Sequence, residues 1–263
     1  MSRPKLGQVF LIDTNIVQKI VQTVCLNSTD NVIEIGCGDG ILTSALAEVL
    51  DMLTVIEIDE SCIQRSQDQL GVQKGIRWVH QDVLTYDFSE QGKGIRVVAN
   101  IPYYISSPLI QRFAYDKQRF KDITLMVQKE FAQKAVGKPG QKLYTPLTVF
   151  MQFHFDVEYL FTVSKSCFKP VPKIDSAIMR LVPKQRDVGV NEALFETIVK
   201  ACFWGKRKKL STALNKNPHV TFTEDVKSIK SLSNFVDKRA DQLTVDDYIS
   251  LSHYLEAYVE TDL

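Results

Sequence analysis

The chain has 263 residues, 44% of them hydrophobic and 24% charged, with a formal net charge of +1. That length accommodates one large core, or a main domain with a small satellite, and the composition excludes a disordered or fibrous polypeptide. Five scattered cysteines without a CxxC pair exclude a disulfide scaffold, four isolated histidines lack metal-ligand spacing, and no apolar run approaches bilayer length. The N-terminal residues, with Arg3, Lys5 and Asp13, carry no secretory pattern. The expectation is a cytoplasmic, monomeric protein with reduced thiols, no metal and no membrane segment. The near-neutral total hides an asymmetry: residues 117–186 carry 13 basic and five acidic side chains, against nine and 14 in residues 1–116 and ten and 12 in residues 187–263. A basic middle segment, with Lys206-Arg207-Lys208-Lys209 further on, suits a polyanionic partner.

In chain order, short β-rich apolar runs at residues 31–35, 53–58, 76–80, 95–99 and 123–127 alternate with amphipathic stretches such as 16–25, 42–50 and 108–114. Strand and helix in alternation predict an α/β fold, a mostly parallel sheet with helices on both faces. Two late runs, 155–163 and 177–182, have no long helix between them and predict an antiparallel pair. Beyond Pro183-Lys184-Gln185-Arg186 the pattern turns helical, at 195–203, 210–214, 226–232 and 245–258, with Thr244 as an N-cap before Asp246 and Asp247. A boundary near residue 186 therefore separates a catalytic domain (1–186) from a small all-helical domain (187–263).

Chemistry-bearing residues fall at successive strand ends. After the first strand, Glu34-Ile35-Gly36-Cys37-Gly38-Asp39-Gly40 sets glycines where the backbone turns tightly and a ligand approaches the main chain. It is Gly-x-Gly-x-Gly; Ile41 stands where dinucleotide enzymes have a third glycine, so the loop suits a ligand without a pyrophosphate. Glu57 ends the second strand, where a carboxylate grips both hydroxyls of a ribose, and Asp82 follows the third, placed to accept from an adenine amino group. Together these describe an S-adenosylmethionine pocket, to which the neighbouring Ile58 and Val83, the motif's Glu34, Gly36 and Gly38, and Asn100 at the fourth strand end are assigned. Asp39 is expected to cap the next helix and Asp59 to lie on the surface.

The fourth strand ends in Asn100-Ile101-Pro102-Tyr103. The N6 of adenine is a poor nucleophile because its lone pair is delocalised into the ring. An Asn100 side-chain oxygen and an Ile101 carbonyl accepting from that amino group favour the pyramidal nitrogen of a transition state. Pro102 restricts the turn and Tyr103 offers a face for a flipped-out base, while Tyr104 reads as packing.

These motifs resemble those of the ribosomal RNA small-subunit adenine dimethyltransferases (the KsgA and Dim family), relatives of the Erm resistance methylases. The resemblance extends over five further stretches. These are Lys5-Leu6-Gly7-Gln8-Val9-Phe10-Leu11, Tyr104-Ile105-Ser106-Ser107-Pro108, and Met126-Val127-Gln128-Lys129-Glu130 with Lys138-Pro139-Gly140. The others are the loop from Phe168-Lys169-Pro170-Val171-Pro172 to Ala177, and Phe203-Trp204-Gly205-Lys206 to Leu210, which resembles the family's basic helix. The resemblance implies a Rossmann-like methyltransferase sheet, S-adenosylmethionine as cofactor, and two methyl groups added to N6 of each of two adjacent adenines. The target implied is a hairpin near the 3′ end of small-subunit rRNA, in a partly assembled subunit. It also implies that Gln8 and Leu11 join the cofactor site and that Phe168, from a loop, covers the second face of the adenine. Val9 stands where the family usually has Asn, so position 9 is left out of the site. The rival readings are an Erm-like large-subunit methylase, an N6-adenine DNA methylase (such enzymes usually have proline in place of Ile101) and a mainly non-catalytic assembly factor.

Overall fold

A computed structural model describes residues 9–71, 75–185 and 188–260. In chain order they form β1 (Phe10–Leu11), α1 (Thr14–Val24), β2 (Val32–Ile35), α2 (Ile41–Ala47), β3 (Leu53–Glu57), α3 (Glu60–Leu70), β4 (Ile76–His80), β5 (Ile95–Asn100) and α4 (Ser106–Tyr115). There follow β6 (Phe120–Gln128), α5 (Lys129–Ala135), α6 (Pro146–His154), β7 (Phe155–Val163), β8 (Phe168–Lys169) and β9 (Ser176–Pro183). The chain continues with α7 (Glu192–Trp204), α8 (Leu210–Asn215) and α9 (Val245–Glu256).

The chain divides into two compact units, Met1–Ala132 with Phe155–Lys184, and Gln133–His154 with Gln185–Leu263. The expected boundary at residue 186 lies outside the described residues, beside the Lys184–Gln185 division. Residues 133–154, assigned from sequence to the catalytic domain, cluster instead with the second unit. The reason is packing: Tyr144, Val149 and Phe153 belong to the helical core, and the Phe153 ring stacks on Phe195 at 4.0 Å.

The first unit is built on a seven-stranded sheet of order β4-β3-β2-β5-β6-β9-β7. Strands β2 to β6 run parallel, β9 is antiparallel to β6, and β7 is antiparallel to β9. Every residue of β2 and β3 is buried, as befits central strands of a sheet covered on both faces. Asp13 caps α1, its carboxylate accepting from Asn15 N and Ile16 N, and Asp59 caps α3 through Ser61 N. Asp59 was expected merely at the surface. The seven expected strands are all present. Missing from the sequence reading were β1 and β8, which pair antiparallel as a separate two-stranded sheet. Two residues are too few to display a period.

The second unit packs Phe195, Ile198, Cys202, Leu210, Leu232, Tyr248 and Leu255 into one core. Thr244 caps α9 in a reciprocal capping box with Asp247, as its spacing predicted. Two expectations fail here. Residues 226–232 form turns and one 3₁₀ turn (Lys230–Leu232), and the basic run Lys206–Lys209 forms the turn between α7 and α8, with no helix of its own. Among the described residues no helix is long and apolar enough to cross a membrane, and no His, Cys, Asp and Glu group is placed to hold a metal ion.

Candidate active site

Strand order grows in one direction from β2 through β3 to β4 and in the other from β5 to β6. The change of direction between β2 and β5 opens a crevice at their carboxyl ends, where open α/β sheets bind ligands. A cavity of about 590 Å³ lies there, within the range of small-molecule sites.

The glycine loop forms one wall. Gly36 and Gly38 have φ of 81° and 56°, the left-handed region. A Cβ on Gly36 would lie 3.3 Å from the Asn100 carbonyl oxygen, and one on Gly38 would lie 3.1 Å from the Phe10 ring. The loop thus lies against both the end of β5 and β1, and its main chain borders the cavity.

Two carboxylates stand at the next strand ends. Glu57 Oε1 accepts from Asp59 N at 2.9 Å, and Oε2 has only a weak thiol donor, Cys37 Sγ, at 3.7 Å. Asp82 Oδ1 accepts from Leu84 N at 2.9 Å. Each carboxylate is therefore oriented through one oxygen, with the other available to a ligand. Ile58 and Val83 line the same space. Burial pushes the Cys62 thiol up to about 11 and that of Cys37 higher still, so both cavity thiols are protonated and inert at neutral pH.

Asn100, Ile101, Pro102 and Tyr103 line the cavity from the end of β5. Pro102 opens a 3₁₀ turn, Tyr103–Ile105, closed by Ile105 N to the Pro102 carbonyl at 3.1 Å. The Tyr103 hydroxyl shares a 2.7 Å hydrogen bond with Ser176 Oγ, which fixes the ring's direction. Phe168 also lines the cavity, but as a strand residue: it pairs with Leu11 in the β1–β8 ladder and is 2% exposed. The loop expected there is wrong, because backbone pairing with the N-terminal strand overrides the two nearby prolines. That pairing also brings Leu11 to the cavity wall.

Other expectations are corrected. Glu34 does not line the cavity. Its position in β2, between Val55 and Val98 of the flanking strands, buries the side chain completely. Among the described residues neither carboxylate oxygen has a hydrogen-bond partner, and burial pushes its pKa up to about 8, with the nearby Glu57 charge adding to the rise. Asp39 does not cap α2, whose N-cap is Gly40; its carboxylate pairs with Arg65 at 3.1 Å. Tyr104 is not packed: it is 63% exposed and lines the cavity. Gln8 lies outside the described residues. Phe10 and Gln128 also line the cavity and were missed, and Val9, left out of the site on sequence grounds, lines it too. Gln128 ends β6, so the strand-end reasoning that found Glu57 and Asn100 would have reached it.

No lysine or arginine occurs among the described lining residues, whereas Asp39, Glu57 and Asp82 do. Such a lining repels phosphate and attracts a cation. A family model described as ribosomal RNA adenine dimethylase matches residues 1–256. The chain belongs to that family. The Ribosomal RNA small subunit methyltransferase A of Aromatoleum aromaticum is 36% identical, over 97% of this chain and 95% of the relative. The crystal structure of a dimethyladenosine transferase from Plasmodium falciparum superimposes with a TM-score of 0.82 at 29% identity, covering 95% of this chain and 99% of that one. The crystal structure of the 23S rRNA methyltransferase ErmE gives 0.69 at 27% identity, covering 94% and 99%.

Family membership makes the protein an S-adenosylmethionine-dependent methyltransferase of the rRNA adenine dimethylase type. The cavity fits that cofactor. S-adenosylmethionine has a sulfonium and an ammonium but no phosphate, matching a lining with carboxylates and no basic side chain. The glycine wall leaves a surface that a Cβ would fill.

Proposed function

We propose that this protein adds two methyl groups to N6 of each of two adjacent adenines in the 3′-terminal hairpin of small-subunit rRNA. It would work as a monomer in the cytoplasm, on a partly assembled small subunit, and so contribute to subunit biogenesis. One observation carries the reading: Gly36, Gly38, Glu57, Asp82 and Asn100 to Tyr103, from four successive strand ends, border a single cavity. The small-subunit names of the curated relatives favour that target over the large subunit, as does the closer likeness to the dimethyladenosine transferase than to ErmE.

In this reading Glu57 accepts hydrogen bonds from the cofactor's ribose hydroxyls and Asp82 from its adenine amino group. Ile58 and Val83 supply apolar contact to that adenine, Gly36 and Gly38 let the main chain approach, and Gln8 and Leu11 flank the methionine portion. Bound there, S-adenosylmethionine supplies a methyl group already activated by its sulfonium. The Asn100 side-chain oxygen and the Ile101 carbonyl accept from the target amino group, turn its lone pair toward the methyl and stabilise the positive charge that develops on nitrogen. No general base is required before transfer, because the extra proton leaves afterwards to solvent. Tyr103 stacks on the flipped base, and Phe168, expected on its other face but 2% exposed, backs the cavity wall from the β1–β8 ladder. Stacking worth about 1–3 kcal/mol per base offsets a flipping cost of a few kcal/mol. The basic segment 117–186 and the exposed part of the basic turn contact phosphates, so binding weakens as salt rises.

The test is mass spectrometry of rRNA from small subunits of a dimethylation-deficient strain, incubated with this protein and labelled S-adenosylmethionine beside an Asn100→Ala control. Dimethyladenosine at two adjacent hairpin adenines, absent with the control, is the expected result. Label confined to large-subunit RNA or to DNA would overturn the small-subunit assignment.

A further inference from the structure

The Asn100 oxygen and the Ile101 carbonyl are both acceptors, so they read an exocyclic amino group and nothing more. Adenine is not the only base that offers one. Cytosine carries an amino group on C4 beside the acceptor N3, as adenine carries N6 beside N1, and its smaller ring fits a purine-sized space. The two bases differ on the other flank of the amino group, where adenine has the acceptor N7 and cytosine only a C–H. A family described by adenine needs a donor for that nitrogen.

Gln128 ends β6 and lines the cavity. Strand register sets its direction. Asn100 pairs with Met126 across the parallel β5–β6 ladder, so Gln128, two residues further on, projects from the same face of the sheet as Asn100. Gln128 itself pairs with Ser176 across the β6–β9 ladder, and Ser176 Oγ holds the Tyr103 hydroxyl at 2.7 Å. Asn100, Gln128 and the anchor of the Tyr103 ring therefore share one face. The half-buried Gln128 amide has no hydrogen-bond partner among the described residues. The other glutamine at the cavity, Gln81, already donates to the Thr85 carbonyl at 3.3 Å. A free amide beside the two acceptors supplies the N–H that they lack.

We propose that Gln128 determines base specificity: its side-chain amide donates to N7 of the target adenine while Asn100 and Ile101 hold N6. This role rests on the adenine-methylating reading above and deepens it by naming the atom that tells adenine from cytosine. A cytosine in the same place leaves the Gln128 amide facing a C–H, unpaired and shut off from water. A site built to hydrogen-bond its substrate rejects an analogue that lacks the matching atom more strongly than an apolar wall rejects a change of size.

The experiment uses small subunits reconstituted with a synthetic 3′-terminal hairpin that carries adenine, 7-deazaadenine or 1-deazaadenine at the target positions. Methyl transfer is measured for the full-length parent, Gln128→Leu and Gln128→Glu. The parent is expected to lose about 10- to 100-fold in kcat/KM on 7-deazaadenine and much less on 1-deazaadenine. Gln128→Leu should lose a similar factor on adenine and nothing further on 7-deazaadenine, because the side chain and N7 form one contact and their removals do not add. Gln128→Glu keeps the shape without the donor and should be no faster than Gln128→Leu. A merely structural glutamine would not give this pairing of variant with analogue. A parent indifferent to 7-deazaadenine, a penalty confined to 1-deazaadenine, or an undiminished 7-deaza penalty in Gln128→Leu would overturn the proposal; the first two need no variant to fold. If the parent leaves the ordinary adenine hairpin unmethylated, the small-subunit reading falls instead, and the same N7 comparison is made in the RNA that the parent does methylate.

Discussion

The two ends of β5 solve opposite problems with polar side chains four residues apart. At the amino end, Arg96 is buried and spends five hydrogen bonds: two on Asp122, one on Asp30 and one each on the carbonyls of Val24 and Cys25. That number matches the five N–H donors of a guanidinium. Arg180 from β9 joins through Asp122 at 2.6 Å, so one charge cluster ties β5, β6, β9 and the end of α1. At the carboxyl end, Asn100 has no side-chain hydrogen bond among the described residues and faces the cavity. A satisfied polar group stabilises the fold, and an unsatisfied one at a cavity is held in reserve for a ligand. One strand carries both because its ends lie on opposite edges of the sheet, and only the carboxyl edge opens at the crossover between β2 and β5.

The sharpest way to break this comparison is to remove a partner at the satisfied end. Arg96→Met should destabilise the fold by about 3–5 kcal/mol, because five buried hydrogen bonds are lost and Asp122 and Asp30 keep only the more exposed Arg180 and Lys121 as cationic partners. Denaturant melts would check it, and the folded fraction should keep its cofactor affinity. A loss under 1 kcal/mol would mean that the cluster is open to water. At the other end the effect should be reversed. Asn100→Ala should lower the methylation rate by about 100- to 1,000-fold, the cost of losing one transition-state acceptor, while the melting temperature stays within error. A stability loss as large as the activity loss would make Asn100 structural.

These two ends were not equally legible in the sequence. Asn100-Ile-Pro-Tyr103 is contiguous, so its chemistry shows in four letters. Arg96 reads as an ordinary charge in an apolar run, because its partners lie 26 and 66 residues away and only the folded sheet assembles them. The same limit hid the β1–β8 ladder, and with it the real setting of Phe168. Local patterns gave the strands because buried parallel strands are continuous apolar runs. They misassigned residues 133–154, whose apolar face was visible but whose packing partner, Phe195, lies far along the chain. The basic run misled in another way: charge is read per residue, whereas Lys206 and Lys209 are consumed by carbonyls and a carboxylate that the sequence does not place.

Between the two extremes of β5 stand the carboxylates of β3 and β2, which refine the comparison. Glu57 is half-satisfied, with one oxygen on Asp59 N and the other toward the cavity. Glu57→Gln should weaken cofactor binding by about 10- to 100-fold, through loss of a charged acceptor, and leave the turnover of saturated enzyme nearly unchanged. Isothermal titration with S-adenosylhomocysteine beside kcat at saturation separates the two. A fall in kcat alone would remove Glu57 from the ribose site.

Glu34 is the remaining case: a carboxylate that among the described residues is neither paired nor at the cavity. Its folded pKa, pushed up to about 8 by burial, exceeds its ordinary value of 4.5. Below 4.5 both folded and unfolded chains hold the proton. Between 4.5 and 8 the unfolded chain releases it and the folded chain keeps it, so stability falls as pH rises, at a limiting slope of about 1.4 kcal/mol per pH unit. Above 8 both forms are ionised and the loss is complete. Glu34→Gln lacks this titration, so its stability relative to the parent should climb steadily from pH 5 to pH 8 in denaturant melts. Parallel pH profiles for the two proteins would show that Glu34 is ionised in the folded chain, which requires a cation or donors at its carboxylate. That outcome would move it from the sheet's buried interior to the same class as Glu57, a carboxylate held ready for a ligand.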